Sequence, residues 1–234
     1  MNFAQLLPQI LPYSAFLVGA SNTDTRQMLC LGDSYTIGEG VSVNERWPHQ
    51  LVRGLNAQQL GFAEPDYVAK TSWTTDELLR GIQAEQDLLS HYDLVTLQIG
   101  VNNQYRSRLP SGFDREISQL VRVAVRFAGM RPRRVLLVSI PDWGVTPFAR
   151  GDSRTREDIA SDIDQYNAIG RSVAEGFGVH FVDVTTCSRA TPEALTPDHL
   201  HPSGLAYERW TSIILPVALS ALKPADVRPD YVAP

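Results

Sequence analysis

Cysteine is scarce: Cys30 and Cys187 are the only two in 234 residues. Cys30 lies inside an apolar run, so neither a disulfide framework nor a metal-binding cysteine spacing is indicated, and both are expected to be ordinary thiols. An excess of basic charge is missing too. With 21 Lys and Arg against 26 Asp and Glu, the formal net charge is -5, which argues against nucleic acid as a partner, because phosphate binding needs clustered cations. The densest basic stretch, Arg131-Pro132-Arg133-Arg134, falls between a helical pattern and a strand pattern, where a solvated helix end explains it. No Lys or Arg precedes Arg26, and Pro8 and Pro12 interrupt the early apolar residues. A standard signal peptide with its cationic start is therefore not expected, and the expected location is cytoplasmic. The longest early apolar run, Ala15 to Ala20, is far short of the about 20 residues that cross a bilayer. Internal repeats, domain linkers and low-complexity segments are not evident either.

What is present is ordinary for a single globular domain: 43% hydrophobic and 20% charged residues. The expected division is an N-terminal extension over 1–25 that packs on the domain or is partly ordered, one domain over 26–223, and a tail over 224–234. Pro224, Pro229 and Pro234 make that tail a poorly ordered segment by expectation. Five short apolar runs alternate with longer helical patterns: Gln27 to Leu31, Asp66 to Ala69, Leu94 to Ile99, Val135 to Ile140 and Val179 to Val182. Such alternation predicts an α/β fold with a parallel sheet between two helical layers. The third and fourth runs are almost continuously apolar, as befits central strands covered on both faces. Helices are expected over Trp47 to Leu60, Asp76 to Leu89, Phe113 to Phe127, Arg156 to Phe177 and Gly204 to Leu222. Thr74 and Glu77 have capping-box spacing, Gly178 stops the fourth helix, Ser203 caps the fifth, and Pro216 is expected to bend or end the last one.

The candidate reactive groups follow strand ends. Ser34 stands in Leu31-Gly32-Asp33-Ser34-Tyr35-Thr36, and near the far end of the chain comes Asp198-His199-Leu200-His201-Pro202-Ser203. A serine hydroxyl is a poor nucleophile until a base takes its proton and a carboxylate fixes the base's tautomer, so these three types together point to a serine hydrolase. Taken alone, Gly-Asp-Ser is also a common turn. His201 is the better base than His199, because three residues of separation let Asp198 fold back onto the imidazole. His199, His49, His91 and His180 have no inferable partner. Asp198, His199 and His201 form a tight cluster that a metal would accept, but a metal site needs further converging ligands, and none is expected. Asn102, in Gly100-Val101-Asn102-Asn103, offers an amide N–H to an oxyanion, as does the Ser34 backbone if a helix opens there. Tyr35, Trp73, Tyr105, Trp143 and Phe148 lie on strand-end segments and are candidates to shape an apolar acyl or aryl pocket, although some of them would equally serve as core.

Together these blocks resemble the SGNH hydrolases, also called the GDSL family, over about Gln27 to Leu222. Gly32-Asp33-Ser34 is similar to the nucleophile block, Gly100-Val101-Asn102-Asn103 to the block that carries the Asn, and Asp198-x-x-His201-Pro202 to the block that carries the His. Asn103 replaces the Asp usual there. The resemblance implies a three-layer α/β/α sandwich with a five-stranded parallel sheet in order 2-1-3-4-5, which agrees with a flavodoxin-like arrangement. It implies Ser34 as nucleophile, His201 as base, Asp198 as its orienter, and Ser34, Ser72 and Asn102 as oxyanion donors, with no cofactor. Ser72, in Ser72-Trp73-Thr74-Thr75, stands where the family usually has Gly; its added Cβ makes a positive φ costly. The second glycine of the nucleophile elbow is missing after Ser34, which sets aside the commoner α/β-hydrolase pattern. The implied activity is carboxylester hydrolysis through an acyl-enzyme, on small acyl or aryl esters or lysophospholipids. Carbohydrate deacetylation, acyl transfer, and a non-catalytic binding module on the same fold are the alternatives.

Overall fold

The computed structural model describes residues 25–223. The expectations for the N-terminal extension and for 224–234 lie outside the described residues. Strands β1 (Met28–Gly32), β2 (Asp66–Ala69), β3 (Leu94–Gln98), β4 (Val135–Val138) and β5 (His180–Val182) form one parallel sheet in the order β2-β1-β3-β4-β5. The register places Leu29 opposite Asp66 on one side and Val95 on the other. Parallel strands need long crossovers, and here helices supply them.

The helices are α1 (Ser34–Ile37), α2 (Trp47–Ala57), α3 (Thr75–Ala84), α4 (Val101–Tyr105), α5 (Pro110–Phe127), α6 (Arg156–Phe177), α7 (Thr185–Ala190) and α8 (Gly204–Leu222). α2 and α8 pair on one face of the sheet, while α3, α5 and α6 pack together on the other. β1, β3 and β4 are buried at every position, which is why, apart from Thr96 and Gln98 of β3, their sequences are apolar without alternation. The three-layer α/β/α architecture and strand order agree with the expectation.

Helix ends differ from the sequence pattern in instructive ways. α2 stops at Ala57 rather than Leu60, where Gln59 turns left-handed at φ 61°. α3 stops at Ala84 rather than Leu89, because Glu85 goes extended. α5 starts at Pro110, three residues before Phe113, with the proline in its first turn, where a missing N–H costs nothing. α8 runs unbroken through Pro216, so that residue does not end it. Pro216 is exposed, and so is Ser212, whose carbonyl loses the proline's donor, so solvent can replace the bond. Ile214, Ala218 and Ala221 meanwhile keep both halves of the helix on the core.

Candidate active site

β1 delivers the nucleophile block. A Cβ on Gly32 would lie 2.0 Å from Thr36 Oγ1 and 2.5 Å from Gln98 O, so only glycine lets the chain fold straight from strand into α1. Asp33 caps that helix, its Oδ1 accepting from Tyr35 N at 3.0 Å. The cap places Ser34 as the first helical residue. Burial pushes the Asp33 carboxyl up to about 7, against the opposing hydrogen bonds from Tyr35 N, its own amide and Asn102.

His201, the expected base, lies on the loop before α8. Leu195 bridges Pro202, Thr196 N donates to His201 O at 2.8 Å, and His199 takes a left-handed φ of 61° to close the turn. Within it, Asp198 Oδ1 accepts from Thr196 Oγ1 at 2.6 Å and from the N–H groups of Leu200 and His201 at 2.9 Å each. Its Oδ2 lies 2.6 Å from His201 Nδ1. Burial opposes ionisation of Asp198, but the bonds from Thr196, His201 and Leu200 outweigh it and hold the carboxyl well below the usual range. A carboxylate only accepts, so Nδ1 carries the imidazole proton and Nε2 is left as an acceptor. His201 Nε2 is 2.9 Å from Ser34 Oγ, so the serine hydroxyl donates to it. The imidazole rests against the Tyr35 ring, with centroids 5.2 Å apart, and is 7% exposed.

α4 follows β3 and presents Asn102. Its Nδ2 donates to Trp73 O at 3.0 Å and lies at 3.5 Å from Asp33 Oδ2. Asn103 points the other way, buried, accepting from Thr75 N at 3.1 Å and donating to Thr75 Oγ1 at 2.7 Å. Ser72 is exposed and adopts φ 67° in spite of its Cβ, a conformation that costs on the order of 1–3 kcal/mol for a non-glycine residue. The structure thus brings Ser34, His201 and Asp198 into one hydrogen-bonded line, with Asn102 linked to Asp33 beside them and Trp73, the residue after Ser72, bonded to Asn102.

The aromatic candidates divide. Tyr35 and Trp143 are 4% and 2% exposed and line a small cleft with Val145, Leu200 and Pro202. Trp73 packs its ring on α3, where a Cβ at Gly81 would come within 2.2 Å of it. Tyr105 and Phe148 are 43% and 41% exposed and meet each other and Trp143 edge-on or tilted, with centroids 5.2 to 6.2 Å apart. Phe148 N donates to His199 O at 3.3 Å, which ties this aromatic edge to the histidine loop. Elsewhere, His49 bonds Tyr67 and pairs with Glu64, away from the site. Among the described residues, no group of three His, Cys, Asp or Glu side chains is arranged to hold a metal, and no helix is long and apolar enough to cross a membrane.

Sequence reasoning did not find Thr196, Gln104 or Arg106. Thr196 stands two residues before Asp198, so its bond to that carboxylate is local in the chain, but the residue type alone does not mark it. Gln104 accepts from Trp143 Nε1 at 2.7 Å and donates to Asp162 at 3.3 Å, and Arg106 Nη2 donates to Ser72 O at 2.6 Å. These three bonds join residues far apart in the chain and leave no local pattern.

Residues 30–209 match the family model of the GDSL-like lipase/acylhydrolase family. Among solved structures, a lipase/acylhydrolase from Enterococcus faecalis is similar at 20% identity and a TM-score of 0.65, over 85% of this chain and 98% of that one. The psychrotrophic esterase EstA from Pseudoalteromonas sp. is similar at 18% identity and 0.63, over 86% and 99%. An acetylxylan esterase, Axe2, from Geobacillus stearothermophilus is similar at 18% and 0.61, over 85% and 94%. No curated protein sequence matches the chain.

Proposed function

The chain belongs to the GDSL-like lipase/acylhydrolase family of ester-hydrolysing serine hydrolases, and on that premise we propose that it cleaves small acyl or aryl carboxylesters through an acyl-enzyme on Ser34. The observation that carries the reading is the line of contacts from Asp198 Oδ2 to His201 Nδ1 at 2.6 Å and from His201 Nε2 to Ser34 Oγ at 2.9 Å.

In the proposed reaction, His201 Nε2 takes the Ser34 proton as Oγ bonds to the ester carbonyl carbon. The carbonyl π electrons move to its oxygen. That oxyanion is met by the Ser34 N–H at the start of α1, by the Ser72 N–H and by the Asn102 amide. The Asn102 hydrogen facing Asp33 at 3.5 Å is loosely held and is the one an oxyanion can take over. Collapse breaks the ester C–O bond, and the imidazolium gives its proton to the leaving alcohol. A water, deprotonated by His201, then releases the acid and restores Ser34. Asp198, kept anionic, holds the ring and offsets the imidazolium charge. Tyr105 and Phe148 supply exposed apolar surface beside the histidine loop for the acyl or aryl group.

A panel of nitrophenyl esters of increasing chain length, together with acetylated sugars, tests this with wild type and S34A. Hydrolysis of the short esters that disappears in folded S34A is expected. Undiminished hydrolysis by folded S34A would refute the reading.

A further inference from the structure

Lys70 to Trp73 form a tight turn, closed by Trp73 N donating to Lys70 O at 3.2 Å, with a positive φ of 67° at Ser72. A turn with φ above zero at its third position favours glycine there. This chain has serine. Ser72 is exposed, so packing of its own side chain does not hold the conformation.

What grips the turn comes from its neighbours on both sides. Thr71 Oγ1 donates to Glu39 Oε2, and the Glu39 N–H donates to Ser34 O at 3.0 Å, which ties the turn to the nucleophile's helix. On the other side, Trp73 O accepts from Asn102 at 3.0 Å and Ser72 O accepts from Arg106 Nη2 at 2.6 Å. Arg106 is in turn fixed by Glu77, whose two oxygens lie 3.4 and 3.3 Å from Nη1. Glu77 is itself immobilised by the α3 cap, accepting from Thr74 N and Thr74 Oγ1 at 2.8 Å each. A capped helix end therefore aims a guanidinium at the carbonyl of a residue held in a costly conformation.

We propose that Arg106 is a positioning residue of the oxyanion hole: by clamping the Ser72 carbonyl it imposes on a serine the backbone that glycine would adopt freely, and so aligns the Ser72 N–H. The inference rests on the reading of Ser72 as an oxyanion donor in the proposed function. It explains how this chain keeps a left-handed turn at the position where a Cβ opposes it. A misaligned donor weakens transition-state contacts more than substrate contacts, so the clamp acts on kcat rather than on KM.

The test is a double-mutant cycle of R106A and S72G on a nitrophenyl ester, with each protein's active fraction counted by fluorophosphonate titration and its Tm recorded. R106A is expected to lower kcat by about 10-fold to 100-fold, the range a small misplacement produces, with KM within about 2-fold. In the S72G background the same replacement is expected to cost less than about 3-fold, because glycine needs no clamp. An equal loss in both backgrounds, or no loss in either, overturns the proposal, since a merely structural arginine would matter alike in both. R106Q, too short to reach but still polar, repeats the cycle if R106A gives no titratable protein. S34A assayed in parallel separates the two claims. If S34A is inactive and the cycle shows no coupling, only the clamp fails; if S34A still hydrolyses ester, the proposed function itself has failed.

Discussion

One oxygen of Asp198 takes hydrogen bonds from Thr196 Oγ1, Leu200 N and His201 N, leaving the other for the imidazole. A carboxylate so surrounded cannot rotate without losing several bonds, which fixes the direction in which His201 meets Ser34. Asp33 is the contrasting carboxyl. It is 1% exposed, and burial raises it to about 7. The folded protein therefore keeps a proton there that the unfolded chain releases above about pH 4. Stability from this group is complete below about pH 4 and is lost as the pH climbs towards 7, at roughly 1.4 kcal/mol for each pKa unit of displacement. Asp198 acts in the opposite sense and only in acid, so it cancels between variants that share it. D33N, which keeps a cap acceptor for Tyr35 N, is expected to gain stability relative to wild type by several kcal/mol between pH 4 and 8. Urea unfolding of both proteins at pH 4, 6 and 8 measures it, and parallel curves would show that Asp33 does not titrate in this window. The meeting of Ser34, His201 and Asp198 was legible in the sequence because Asp198 and His201 are local to each other and Ser34 follows a clear strand. Arg106 was not, because its value lies in a carbonyl 34 residues away.

Among elements, the long ones declared themselves. α6 runs from Arg156 to Phe177 as its apolar spacing and terminal Gly178 predict. The misjudged ends were those where the apolar residues continue after the backbone has left the helix: Leu60 and Leu88 still pack against the core beyond α2 and α3. Short helices such as α4 and α7 escaped notice, and α1 was considered only as a helix opening at Ser34, because they are too brief for a periodic pattern. α3 couples packing to the site through Gly81, over which Trp73 lies. In G81A, the gain in helix propensity is about 1 kcal/mol, while an atom forced within 2.2 Å of a rigid indole costs about 1–3 kcal/mol or more. Overpacking wins. G81A is expected to lower the urea midpoint and also kcat, because displacing Trp73 moves the carbonyl that Asn102 holds. An unchanged midpoint with full activity would mean that the indole relocates freely and does not support the site.

At the scale of the whole molecule, the order β2-β1-β3-β4-β5 sends the chain outwards in opposite directions from β1 and β3. Such a switch point opens a crevice at the carboxyl ends of those two strands. Ser34 follows β1 and Asn102 follows β3, so topology alone puts both at one edge, and the loop before α8 brings in His201 from 167 residues beyond Ser34. The strand runs and helical alternation made the layers readable from sequence, while the strand order came from resemblance, because apolar runs do not say which strand lies beside which. Reactivity of Ser34 should therefore belong to the folded molecule and not to the local Gly-Asp-Ser segment. Fluorophosphonate labelling followed by peptide mass mapping tests this most directly. One adduct per folded chain is expected, on Ser34, with hydrolysis lost in step with labelling and no adduct formed in urea or in H201A. Folded protein that hydrolyses ester while Ser34 stays unlabelled, or that is labelled equally well when unfolded, would contradict it.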